Sequence, residues 1–89
     1  MEKNNINDVL KNLNILFVDD EDLIIDVMKD ILEFFFRNVY YANNGVDGIQ
    51  ICRDNDIDVI MSDITMPKMN GIEMVNEIRS FNNSIKVIF

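Results

Sequence analysis

With 89 residues the chain has room for one domain, and a 48% hydrophobic content is enough to build a core. Its 16 acidic and 8 basic side chains leave a net charge of −8, which argues against a nucleic-acid or anionic-membrane binder. With no histidine and one cysteine, the chain holds no Ser/His/Asp or Cys/His catalytic set and no internal disulfide.

Residues 1–13 are polar, with Ile6, Val9, Leu10 and Leu13 at helical spacing, and read as an N-terminal leader carrying a short amphipathic turn. Asn14 to Val18 is a short apolar run that ends in Asp19-Asp20, the pattern of a buried strand. Asp22 is expected to cap the next helix. Leu23, Val27, Met28, Ile31, Leu32 and Phe35 follow with a period near 3.6 and predict its buried face. Phe34, Phe35 and Phe36 close that helix, two rings inward and one outward. Val39 to Ala42 is a second strand, and Asn43-Asn44-Gly45 is a turn. Asp47 to Asp54 predicts a short helix with Ile49 and Cys52 inward, the cysteine acting as a small hydrophobe. Ile57 to Ser62 is a third strand, Asn70 to Phe81 a third helix, and Ile85 to Phe89 a fourth strand. The lone proline, Pro67, falls in the loop after the third strand. This alternation predicts a parallel sheet with helices on both faces. No apolar run approaches the roughly 18 residues of a membrane span, and the start lacks a signal-peptide pattern, so a cytoplasmic location is expected.

The chemistry concentrates at strand ends. In open α/β sheets ligands bind beyond the carboxyl ends of the strands, where the strand order reverses. The first and third strands end there in Asp19-Asp20 and Asp63. If those strands are neighbours, three carboxylates meet and repel, and a divalent cation resolves the conflict. Hard oxygen donors favour Mg2+, with Mn2+ able to substitute. Each aspartate alone is an ordinary turn residue; only the combination points to a site. Asp54, Asp56 and Asp58 imitate a calcium loop, but Val59 and Thr65 stand where that loop needs glycine and glutamate. Met61, Met66, Met69 and Met74 read as packing.

These residues resemble a known family. ILFVDDE, from Ile15 to Glu21, resembles the first-strand motif of response-regulator receiver domains of two-component signalling, and VIMSDITMPKMNG, from Val59 to Gly71, resembles their phosphoacceptor motif. The resemblance implies a flavodoxin-like doubly wound sheet. Its strand order would be 2-1-3-4, with a fifth strand and the last helices missing, and 14–89 would form a partial receiver domain. It implies that Asp63 is the phosphoacceptor, taking a phosphoryl group from a sensor histidine kinase or phosphotransfer protein. Asp20, Asp63 and the backbone carbonyl of Thr65 would ligate Mg2+ directly, and Asp19 through a water. Pro67 and Gly71 would shape the loop. The domain would be a signalling module rather than an enzyme.

The family also places a Ser or Thr past the fourth strand and a Lys at the end of a fifth. Neither position lies within residues 14–89, and Lys68 and Lys86 are not placed to substitute. With the fifth strand missing, IleLysValIlePhe would be an apolar sheet edge, and self-association through that edge is expected. Two other readings compete. One is an interaction module that is never phosphorylated. The other is a haloacid-dehalogenase-like phosphatase, disfavoured because Thr65 stands where its second acid belongs.

Overall fold

The sheet follows from strands whose apolar character tracks how many faces they bury. In a computed structural model that describes residues 5–89, the chain runs α1 (Ile6–Leu10), β1 (Asn14–Val18), α2 (Asp22–Phe35), β2 (Asn38–Ala42), α3 (Gly45–Asp54), β3 (Val59–Ser62), α4 (Gly71–Arg79) and β4 (Lys86–Ile88). β1, apolar after Asn14, is buried at all five positions, while β2 and β4 at the edges are partly open. All pairings are parallel, in the order β2-β1-β3-β4. This is the doubly wound α/β order expected from the sequence. The first four residues of the expected leader lie outside the described residues; α1 buries no side chain.

Two cores flank the sheet. On one face Leu16, Val18 and Ile60 pack with Cys52 of α3 and with Met74 and Ile78 of α4. On the other, Ile15, Phe17 and Val59 pack with Leu32 of α2, joined by the half-buried Ile25, Met28 and Phe36. Burial pushes the Cys52 thiol up to about 11, so it stays protonated at neutral pH and unreactive. At the lower end of the sheet, Asn14 acts as a polar pin. Its backbone N–H donates to the Asp58 carboxylate at 2.8 Å and its side-chain amide to the Asp56 carbonyl at 2.7 Å. Arg37 and Asn38 both donate to its Oδ1. This gives the Asp58 carboxylate a structural role, while Asp56 takes part through its backbone carbonyl. Among the described residues, no helix is long and apolar enough to cross a membrane.

Several local expectations are corrected. The buried line of α2 is Ile25, Met28 and Leu32, at i, i+3 and i+7. Leu23, Val27 and Ile31 lie on the solvent side, at 73%, 61% and 49% exposure. The apolar arc of α2 is wider than the strip the sheet can cover, so the periodic set includes Met28 and Leu32 on the covered strip and Leu23, Val27 and Ile31 beyond it. Phe34 is the outward ring, as expected, while Phe35 and Phe36 are half-buried. Asp22 is the first helical residue rather than the cap, and receives a hydrogen bond from Asn43. α3 starts at Gly45 rather than Asp47, because the Asn44 side chain accepts the Asp47 N–H at 2.8 Å and serves as N-cap. β3 and β4 begin one or two residues later than expected, and Ile57 and Ile85 bury as flanking residues. α4 is shorter than expected, ending at Arg79.

Lys68 has φ of 70°. The left-handed region costs an L-residue roughly 1–2 kcal/mol and costs glycine nothing. Part of that gain is lost to glycine's freer unfolded chain. Lys68→Gly should therefore stabilise the fold by about 0.5–1 kcal/mol, read from the urea midpoint at unchanged slope. An unchanged or lower midpoint would contradict it.

Candidate functional site

β1 and β3 are adjacent, and their carboxyl ends open into the crevice where the strand order reverses. The register pairs Val18 with Ser62, so the residues after them leave the sheet side by side. The Asp63 N–H donates to the Val18 carbonyl at 3.1 Å, and the Asp19 N–H to the Ala42 carbonyl at 3.2 Å. These bonds hold both chains in ladder geometry up to the carboxylates themselves.

Asp19, Asp20 and Asp63 come together there, one carboxylate oxygen from each within 4.8 Å of the others. Asp19 is half-buried, and Asp20 and Asp63 are exposed. Asp19 Oδ1 accepts the Glu21 N–H at 2.9 Å, a tight turn that leads β1 into α2. Asp63 Oδ1 receives the Thr65 N–H over a longer 3.4 Å. Like charges this close favour a cation between them.

The donor set tests which cation fits. All the donors are hard carboxylate oxygens, the chain has no histidine, and its only thiol is buried away from the cluster. Opposite ligands on a Mg2+ ion lie about 4.2 Å apart, given bonds of 2.0–2.1 Å. Oxygens within 4.8 Å of one another can therefore close around one such ion. The open side leaves room for the waters Mg2+ retains. The residues fit Mg2+ or Mn2+.

The loop after Asp63 is built to return the chain quickly. The Gly71 N–H donates to the Ile64 carbonyl at 2.7 Å. Asn70 and Glu73 then form a reciprocal capping box that starts α4. A Cβ on Gly71 would stand 2.4 Å from the Asp63 carbonyl oxygen, which is backbone and has nowhere to go. Gly71→Ala should cost about 1–3 kcal/mol by overpacking. Thermal unfolding of that variant at or above the wild-type midpoint would show that the loop yields freely.

The sequence reading missed two residues of this neighbourhood. Glu21 enters through its backbone N–H, which no side-chain pattern reveals. Ser62 is buried, and its hydroxyl donates to the Asp63 carbonyl at 2.8 Å. The one signal for Ser62 was a polar residue closing an otherwise apolar strand.

Comparison with known proteins agrees with this geometry. A family model described as the response regulator receiver domain matches residues 15–89. The chain is 35% identical over 74 residues to the chemotaxis protein CheY of Halobacterium salinarum, covering 83% of this chain and 62% of that protein. It is 36% identical over 70 residues to probable histidine kinase 1 of Oryza sativa subsp. indica, covering 79% of this chain and 7% of that one. The crystal structure of a two component transcriptional regulator AraC from Clostridium phytofermentans superimposes with a TM-score of 0.79 at 34% identity, covering 88% of this chain and 65% of that one. The chain thus spans less than two thirds of the length of each of these relatives.

Proposed function

Because the chain belongs to the response-regulator receiver domain family, we propose that it accepts a phosphoryl group on Asp63 in a Mg2+-dependent step of two-component signalling. The observation that carries this reading is the convergence of Asp19, Asp20 and Asp63 at the strand-order reversal. Residues 14–89 make up the receiver unit and residues 1–13 a leader.

An Asp63 carboxylate oxygen attacks the phosphorus of a phosphohistidine on a sensor histidine kinase or phosphotransfer protein. The new P–O bond forms as the P–N bond breaks, and the nitrogen keeps the electron pair. The product on this chain is an acyl phosphate. Asp20 and Asp63, with the Thr65 carbonyl, would hold Mg2+, and Asp19 would contribute through a water. A bound Mg2+ supplies positive charge against the oxygens of the transferring group. The Thr65 N–H orients the nucleophile, since it already points at Asp63 Oδ1. The exposure of Asp63 leaves the carboxylate open to an in-line approach. As a signalling domain the chain carries out one transfer per phosphorylation event, and its partner is a protein.

The test uses a small phosphodonor. Incubation with acetyl phosphate and Mg2+ should add one phosphoryl mass, mapped by peptide mass spectrometry to Asp63, and EDTA should prevent it. A mass gain mapped to another residue, or none under any metal, would remove the assignment.

A further inference from the structure

Ser62 and Asn14 are the two buried polar residues among the described ones. Asn14 is accounted for by its hydrogen bonds at the lower end of the sheet. Ser62 stands at the opposite end, one residue before the proposed nucleophile, and is 3% exposed. A hydroxyl with so little access to water must spend its donor on the protein. It does so on the carbonyl of Asp63, at 2.8 Å.

That carbonyl is where the strand stops being a strand. The Asp63 N–H still bonds to β1 through Val18. Its C=O faces Gly71, where an added Cβ would collide with it and would also meet the Phe89 ring at 3.1 Å. Among the described residues, the donor to this oxygen is the Ser62 hydroxyl. The direction of the Asp63–Ile64 peptide is thus set by one side-chain donor against a backbone wall. That direction fixes ψ of Asp63, and side-chain rotamers depend on φ and ψ. It also fixes where Thr65 begins, and the Thr65 N–H reaches back to Asp63 Oδ1.

We propose that Ser62 is a positioning residue for phosphoryl transfer, its hydroxyl holding the Asp63–Ile64 peptide so that the carboxylate and the Thr65 N–H meet. The inference rests on Asp63 being the phosphoacceptor. Losing the hydroxyl lets the peptide rotate, and the carboxylate leaves its attack direction; because Asp63 and Thr65 would also hold the metal, the comparison is made at saturating Mg2+. The effect falls on the rate of transfer more than on affinity for the donor.

The test compares Ser62→Cys, which keeps the volume and weakens the donor, with Ser62→Thr, which keeps the hydroxyl. Labelling of Asp63 by acetyl phosphate with Mg2+ is followed across donor concentrations, at a temperature where circular dichroism shows each protein folded. In Ser62→Cys the maximal rate constant should fall about tenfold with an unchanged half-saturating concentration, and Ser62→Thr should restore it. If Ser62→Thr does not fold, the Thr65 amide resonance decides between the wild type and Ser62→Cys, moving if the peptide is released and staying if it is not. A wild-type rate in Ser62→Cys, or an equal loss in a folded Ser62→Thr, overturns the role of Ser62 while leaving Asp63 in place. A wild-type protein that takes no label at Asp63 overturns the reading of Asp63, and this inference with it.

Discussion

Asp63→Asn should abolish labelling by acetyl phosphate, with a loss of at least about a thousandfold in rate. The amide keeps the volume and shape of the side chain but has no anionic oxygen to form the P–O bond. Asp63 is exposed, so the change removes no packing. It also removes one of three crowded negative charges, so the thermal midpoint without metal should hold or rise slightly. Intact-mass measurement reads the first effect and a thermal scan the second. Labelling that persists in the Asn variant would move the nucleophile to Asp19 or Asp20, the other carboxylates within reach.

Mg2+ or Mn2+ should raise the melting temperature substantially. Binding to the folded state alone stabilises by about 2.7 kcal/mol at a hundredfold excess over the dissociation constant. In a domain of this size each kcal/mol is worth about 4–8 °C, so the shift should be about 10–20 °C. Asp20→Asn should remove most of it. The same variant should melt no lower than the wild type when metal is absent, because it relieves repulsion within the cluster. Opposite signs with and without metal separate a lost ligand from general damage. Added NaCl weakens exposed charge repulsion without filling the site, and so serves as the control. An undiminished metal shift in Asp20→Asn would show that the ion binds elsewhere.

The parallel sheet was legible from the alternation of elements, its strand order only from the family resemblance that the two motifs carry, and β1 was legible to the residue. Its apolar run and the acidic pair after it leave no choice of boundary. The convergence of Asp19, Asp20 and Asp63 was legible only given that the first and third strands are neighbours, which composition cannot state and the family resemblance could. The face of α2 was legible only in part, through Met28 and Leu32. Leu23, Val27 and Ile31 share a helical line, but a 3.6 period says which residues share a side, not whether anything lies opposite them. Ile25 sits on the line that meets the sheet, and the same period hid it among apolar neighbours. Asn44 was read as a turn residue, whereas its oxygen caps α3; Asn favours both roles for the same reason, a short side chain that bonds nearby N–H groups. Ser62 escaped because its bond partner is the next residue's carbonyl, which depends on how the strand leaves the sheet. The positive φ of Lys68 escaped because lysine is not the residue that conformation favours.

The parallel sheet described above has a kinetic corollary. No strand pairs with its neighbour through a hairpin; every pairing waits on a crossover through a helix. β1 and β3 meet across a sequence separation of 44 residues, as the Asn14 to Asp58 bond measures. The entropy of closing so long a loop is spent before any native contact rewards it. β1 and β2 can pair first, while β3 is still free, and that intermediate carries Asp19 and Asp20 without Asp63. No local stretch of chain holds the cluster, so competence to accept a phosphoryl group should arise late in folding, with the closure of the sheet's centre.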